Sequence, residues 1–383
     1  MTDNLKPIDY SAVPSPSYVV DERLLVKNLE ILDSVQQRTG AHILLAQKGF
    51  SMHALYPLIG QYLKGVTSSS LFEARLGYEK MGKETHVYAP AYVDAEFDEM
   101  MTYSDHIVFN SFSQWHRFKD RVQHADKKIS CGIRINPEYS EIEVPLYDPC
   151  YNYSRMGTTL DNFDENDLEG IDGLHFHTMC EQNSDTLERT LQVVEEKFGK
   201  YMHAMKWVNF GGGHHITRAD YDLDTLCRCI THIKETYNVE VYLEPGEAIA
   251  LNAGYLVATV LDTMKNGMDI AILDTSAECH MPDVLAMPYR PHIIGSGKPG
   301  EHPYTYRLGG LTCLAGDVIG DYSFPEPLQP GDRLVFTDMA IYSMVKNHMF
   351  NGVNLPSIVS YNDEEGARVI RTFQFEDFSG RLS

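Results

Sequence analysis

No stretch of this chain approaches the roughly 20 consecutive apolar residues that a membrane-spanning helix needs, so the sequence offers no transmembrane segment. The opening residues, Met1 to Tyr10, lack the basic-then-apolar pattern of a secretory signal, and a cytoplasmic protein is expected. Cysteine is sparse and unpatterned: there are seven, an odd number, with no CxxC and no Cys/His ligand spacing. The tightest pair, Cys227-Arg228-Cys229, is too close for a zinc pair and falls in a helical pattern. Neither a metal centre nor a disulfide framework is expected from it. Basic charge is scarce too. Against 54 Asp and Glu stand 32 Lys and Arg, a formal net charge of −22, which argues against binding a phosphate backbone and hence nucleic acid. So much acid serves solubility, and it also makes a field that attracts cations of the polyamine kind. Repeats, low-complexity tracts and a disordered linker are missing as well.

What is present is a long alternation. At 383 residues the chain exceeds the usual single domain, so one large domain with a smaller one is the natural division. Strand-like runs fall at 42–48, 64–68, 85–90, 106–110, 128–136, 173–177, 207–211 and 240–246. Helical patterns lie between them at 71–81, 94–103, 113–123, 184–198 and 222–237, the third with Ser113 as its capping residue. Eight strands alternating with helices predict a parallel (β/α)8 barrel, here over 24–253. The segment 138–166 is irregular and longer than an ordinary connection, which marks it as a candidate functional loop. After Pro245 the pattern changes. Runs at 255–264 and 268–275 flank Asn266-Gly267, a pair favoured in tight hairpins. Further strands are expected at 304–308, 333–338 and 368–375, the second after the turn Gln329-Pro330-Gly331-Asp332. Residues 254–383 therefore read as an antiparallel β domain, with 1–23 as a joining segment.

The unusual polar residues fall at the C-terminal ends of barrel strands, where a barrel of this type places its active site. Lys48 closes the first strand in Leu45-Ala46-Gln47-Lys48, His177 the sixth, Gly211-Gly212-Gly213 the seventh and Glu244 the eighth. Each alone has a plain explanation: a solvated lysine, a structural histidine, a glycine turn, a helix cap. Together they fit pyridoxal 5'-phosphate. A lysine amine with a pKa lowered by burial can attack the cofactor aldehyde. Glycines let backbone N–H groups approach a phosphate. A carboxylate at the pyridine nitrogen keeps it protonated, so the ring draws electrons from the substrate. An imidazole can stack on the ring face.

The elements Lys48, Phe176-His177, Gly211-Gly212-Gly213, Glu244-Pro245-Gly246 and Gly309-Gly310-Leu311-Thr312-Cys313 resemble, in order and spacing, the alanine-racemase-fold decarboxylases. That family includes the ornithine and diaminopimelate enzymes, and the resemblance runs from about Pro16 to Pro356. His175-Phe176-His177-Thr178-Met179-Cys180-Glu181 and Glu244-Pro245-Gly246-Glu247 resemble its branch acting on carboxylated triamines such as carboxynorspermidine. The resemblance implies that Lys48 carries the cofactor, His177 stacks on it, Glu244 pairs with its ring nitrogen, and Gly211, Gly212 and Gly213 hold its phosphate with Tyr342. It implies that Cys313 enters a partner subunit's site in a homodimer and protonates the substrate carbon. Glu278 and Asp317 are expected to meet the distal ammonium groups of a polycationic amino-acid substrate. Arg290, in Tyr289-Arg290-Pro291, matches a substrate-contacting segment, although a structural salt bridge explains it as well. Two positions depart from the family pattern. Glu247 stands where an arginine commonly contacts phosphate, and Leu314 follows the cysteine where an acidic residue often stands. Both departures point away from ornithine and diaminopimelate towards norspermidine or spermidine as product. The alternatives are decarboxylation of diaminopimelate, ornithine, lysine or arginine, an amino-acid racemase, a non-catalytic cofactor carrier or regulator, and a Schiff-base aldolase.

Overall fold

The structure is a computed structural model and describes residues 5–383. Strand β1 (Ser17–Asp21) leads into a helix over Glu22–Thr39. Eight short strands follow: β2 (His42–Ala46), β3 (Gly65–Ser68), β4 (Glu84–Tyr88), β5 (His106–Phe109), β6 (Ser130–Arg134), β7 (Ile171–His175), β8 (Trp207–Asn209) and β9 (Glu240–Leu243). Each pairs in parallel with the next, and β9 returns to β2 through Tyr242 opposite His42, so the sheet closes into a barrel. Parallel neighbours need long crossovers, and the amphipathic helices supply them. The helix Phe112–Gln123 buries Phe112, Trp115, Phe118 and Val122, spaced three or four apart along one face. Its cap is Ser111 rather than the expected Ser113: the Ser111 hydroxyl accepts the Gln114 N–H at 3.3 Å, and Ser113 already lies inside the first turn. The helix Leu223–Tyr237 is capped by Asp222, whose Oδ1 accepts the Asp224 and Thr225 N–H groups at 3.0 Å.

The barrel interior is packed. Leu44, Tyr88, Val108, Trp207 and Tyr242 form a buried cluster across it. Trp207 fits because the indole passes over glycines on the adjacent β7 and on β6 beyond it. A Cβ at Gly132 would lie 2.3 Å from the indole and one at Gly173 2.1 Å from it.

The remaining strands are β10 (Gly254–Asn266), β11 (Met268–Leu273), β12 (Tyr304–Gly309), β13 (Val318–Phe324), β14 (Arg333–Thr337), β15 (Ser357–Asn362) and β16 (Gly366–Arg371). With β1 they form one sheet in the order β13-β12-β11-β10-β1-β15-β16, with β14 also on β10. Pairing is mostly antiparallel, and β1–β15 and β11–β12 are parallel. The β10–β11 hairpin turns at Gly267, φ +72°. Strand β1, read from the sequence as part of a joining segment, lies in the middle of this sheet. Its five residues are all buried, so it shows none of the alternation that betrays a half-exposed strand. The last expected strand is shorter than anticipated, since Phe375 opens a helix, Phe375–Ser379. The chain divides into two compact units, one of residues up to Lys27 with Ala250–Ser383, the other Asn28–Ile249. Among the described residues no helix is long and apolar enough to cross a membrane.

Candidate active site

Four of the expected residues lie one or two positions beyond barrel strands, at the C-terminal mouth. Strand β2 ends at Ala46, and the buried Gln47 anchors the turn that follows. Its Nε2 donates to Ser68 Oγ at 2.8 Å and to the Glu73 carbonyl at 2.7 Å, while its Oε1 accepts from the Tyr56 hydroxyl at 2.9 Å. Lys48 comes next. Its side chain opens into the space at the mouth, yet protein surrounds it closely. That loss of bulk water, with the like charge of Arg134, lowers its pKa from the ordinary value, against the pull of Glu244, Cys180 and Glu73.

Glu244 follows β9 and is only 8% exposed. Its Oε1 accepts from Asn209 Nδ2 at 2.7 Å, and its Oε2 lies 3.2 Å from His175 Nε2. Burial opposes its ionisation, but His175 first, then His86 and the Asn209 amide, outweigh burial, so its pKa lies below the carboxylate norm. Burial also lowers the pKa of His175 despite the adjacent carboxylate. The pair is therefore an ionised carboxylate and a neutral imidazole donating through Nε2–H. A fully charged pair would conflict with the depressed histidine. Tyr88 stacks on the same imidazole, with centroids 5.5 Å apart, and Arg134 lies over the other ring of that stack, 4.5 Å from the Tyr88 centroid.

His177 lies beyond β7, and Arg134 Nη2 donates to its carbonyl at 3.0 Å. Burial and the charge of Lys48 hold its imidazole well below the usual histidine range. It is neutral, and its Nδ1 accepts the Gly212 N–H at 2.7 Å. The neighbouring Gly211 N–H donates to Asn209 Oδ1 at 2.8 Å. The glycine run is required by close packing as well as by any ligand. A Cβ at Gly211 would meet the Phe176 carbonyl at 2.4 Å, and one at Gly213 the Met179 carbonyl at 1.9 Å. Glu247 opens a short helix, Glu247–Ala250, and lies 3.6 Å from His215, whose pKa burial lowers to about 4.

His175, Asn209 and Arg134 were not singled out from the sequence as site residues. Each carried a signal. His175 and Asn209 stand two residues before His177 and Gly211, on the same face of their strands, and Arg134 is a charge in an otherwise uncharged strand.

The other expected residues belong to the unit with the β sheet. Cys313 is exposed, and its backbone N–H donates to Asn351 Oδ1 at 2.7 Å. Glu278 sits in the short helix Ala277–His280, with Oε1 3.6 Å from His348 Nε2. Tyr342 is half-buried at φ 57°, a region non-glycine residues rarely occupy, and such strain concentrates at functional positions. Arg290 is exposed, with its guanidinium 4.5 Å from the Tyr322 ring centroid, and no carboxylate pairs with it among the described residues. The salt-bridge alternative for it is thus replaced by a stacking contact. Asp317 corrects an expectation. Its carboxylate is buried and already accepts five hydrogen bonds from its own domain, leaving it unsuited to a substrate ammonium.

The chain matches the family described as pyridoxal-dependent decarboxylase, C-terminal sheet domain, over residues 17–340. It is 44% identical to a carboxynorspermidine/carboxyspermidine decarboxylase of Campylobacter jejuni, covering 97% of this chain and 99% of that protein. It is 42% identical to a carboxyaminopropylagmatine decarboxylase of Synechocystis, covering 97% and 96%. Among solved structures it is similar to carboxynorspermidine decarboxylase of Campylobacter jejuni in complex with norspermidine, with a TM-score of 0.90 and 43% identity over 96% of this chain and all of that one.

Proposed function

Because this chain belongs to the pyridoxal-dependent decarboxylases, we propose that it removes the α-carboxyl group of carboxynorspermidine and carboxyspermidine, yielding norspermidine and spermidine. Its cofactor is pyridoxal 5'-phosphate, and it is a carboxy-lyase. The observation that carries the reading is one barrel mouth holding a lysine of lowered pKa, a buried ionised carboxylate and a glycine floor. The similarity to the Campylobacter enzyme along almost the whole of both chains supports the substrate.

When bound, pyridoxal phosphate supplies the electron sink for the pair left behind as carbon dioxide departs. The chain's residues do the rest. Lys48, with its amine more readily neutral than an ordinary lysine, holds the cofactor aldehyde. Glu244, kept anionic by His175 and Asn209, holds the proton on the ring nitrogen. His177 stacks on the ring. The glycines Gly211, Gly212 and Gly213, with Tyr342, would hold the phosphate. Cys313 Sγ–H gives its proton to the substrate α-carbon. Glu278 takes a distal ammonium, and Arg290 lines the approach. The protein is a cytoplasmic homodimer in which Cys313 serves the partner's site. An exposed thiol on a pinned loop supports this arrangement, as do seven free cysteines.

Carboxyaminopropylagmatine is the second reading, supported by the Synechocystis relative. The test is carbon dioxide release by the cofactor-loaded protein, offered carboxynorspermidine, carboxyspermidine, carboxyaminopropylagmatine, ornithine, lysine, arginine and meso-diaminopimelate in parallel. Preference for the two carboxylated triamines is expected. Preference for the guanidino substrate establishes the second reading, and turnover of only the simple amino acids overturns both.

A further inference from the structure

A single buried carboxylate joins the loop that carries Cys313 to the helix that carries Glu278. Asp317 is 5% exposed. Its Oδ2 accepts the Thr312 N–H at 3.1 Å, the Thr312 hydroxyl at 2.8 Å and the Ser276 hydroxyl at 2.9 Å. Its Oδ1 accepts the Ala277 and Glu278 N–H groups at 2.8 and 3.2 Å. The backbone closes the same loop: Gly310 N–H donates to the Asp317 carbonyl, and Asp317 N–H donates to the Leu314 carbonyl, both at 3.0 Å. Gly310 makes room for this, since a Cβ there would lie 2.4 Å from Asp317 Oδ2. With its N–H on Asn351, Cys313 stands on a loop pinned on both flanks. On the other side Ala277 and Glu278 present first-turn amides, which an anion satisfies well, and the Ser276 hydroxyl also caps the Cys279 N–H at 3.0 Å.

We infer that Asp317 is a positioning residue that holds the Cys313 thiol and the Glu278 carboxylate in one fixed relation. Proton return and recognition of the distal amine are then set by one anion. A buried charge is costly unless its hydrogen bonds are all made. Five donors compensate this one, and two of them come from the residue immediately before Cys313. The inference rests on the roles proposed above for Cys313 and Glu278.

The test uses the cofactor-loaded enzyme, with rates normalised to bound cofactor, and alkylation of Cys313 by iodoacetamide followed on its peptide by mass spectrometry. Asp317→Asn is expected to alkylate about tenfold faster, with kcat down about ten- to a hundredfold, the scale of an ångström-level misplacement. Thr312→Val frees only the loop, so kcat falls while KM for carboxynorspermidine holds. Ser276→Ala loosens only the helix, so KM rises while kcat holds. A purely structural role would reduce the amount of folded enzyme without moving the alkylation rate or this split. Wild-type alkylation and kcat in Asp317→Asn overturn the clamp. If that variant does not fold, absence of the split in the other two does so. Unchanged kcat in Cys313→Ala overturns instead the reading on which the inference rests, a separate result.

Discussion

Of the histidine–carboxylate pairs in the barrel, two lie near opposite ends, and only one of these two is fitted for chemistry. At the C-terminal mouth His175 Nε2 lies 3.2 Å from Glu244, and near the N-terminal end His86 Nε2 lies 3.4 Å from Glu84. Both histidines stack on another ring, His175 on Tyr88 and His86 on His106. The carboxylates differ in what answers them. Glu84 also has the Lys64 ammonium at 3.3 Å and the Tyr242 hydroxyl at 3.4 Å, so its charge is matched by a fixed cation. Among the described residues no lysine or arginine forms an ion pair with Glu244, which is held by Asn209 and a neutral imidazole. Its negative charge is left for a cation that the protein does not itself supply. The surroundings differ in the same sense. The mouth has glycines at 211–213, whereas at the lower pair the Tyr242 ring lies 4.8 Å from His86 and Trp207 packs 5.2 Å from the His106 stacked on it. Titratable side chains alone do not distinguish the two ends. Unmatched charge beside open backbone does.

The largest effect that can break this comparison is at Lys48. Lys48→Ala is expected to lower carbon dioxide release on the order of 10⁴-fold and to abolish the visible absorbance of the lysine-bound cofactor. Retention of both would remove the mouth from the chemistry. Next comes Glu244→Gln, which keeps the shape and removes the unmatched charge. A fall in kcat of about 10²–10³-fold is expected, the scale of losing one preorganised electrostatic partner. Glu84→Gln at the other end should change kcat less than about twofold, in keeping with a site away from the reacting atoms. Equal losses in the two variants would dissolve the distinction.

The mouth was legible in the sequence because Lys48, His177, Gly211 and Glu244 stand just past the short strands ending at Ala46, His175, Asn209 and Leu243, where polar residues and glycines interrupt apolar runs. The support beneath them was not. His175 and Asn209 read as strand interior, and their function lies in contacts with Glu244, 69 and 35 residues away. Asp317 read as a carboxylate available to a distal ammonium of the substrate. Its occupation depends on Ser276 and Ala277, about forty residues earlier, which only the folded sheet brings near. The same limit hid β1, a central strand between β10 and β15 with no alternation to display.

A smaller effect concerns stability. Burial pushes the pKa of His106 down to about 2 from 6.5, so the folded protein keeps it neutral while the unfolded chain takes up a proton below about pH 6.5. The unfolded state then binds more protons, and stability is lost as pH falls from 6.5 towards that depressed value. Between pH 7.5 and 5.5 one such group accounts for about 1.4 kcal/mol. His106→Phe should flatten the pH dependence of the unfolding free energy from urea titrations by that amount, with kcat per bound cofactor unchanged. An unaltered slope would show that His106 takes up its proton in the folded state.

The smallest expected effect is none at all, and it concerns metal. Glu84, His86 and His106 offer ligand atoms within 4.8 Å of one another, a grouping that invites a divalent ion. Their orientation argues otherwise. The two imidazoles are stacked 3.9 Å apart at 10°, so their in-plane lone pairs lie in nearly parallel planes and do not converge on one point, as tetrahedral zinc requires. The Lys64 ammonium beside Glu84 adds repulsion for any cation. Protein dialysed against zinc and then against buffer should retain no stoichiometric metal by elemental analysis, and its melting temperature should not move. One zinc per chain, lost in His106→Phe, would mean that the lower pair reorganises around a cation after all, and the contrast between the two ends would become one of metal against organic cofactor.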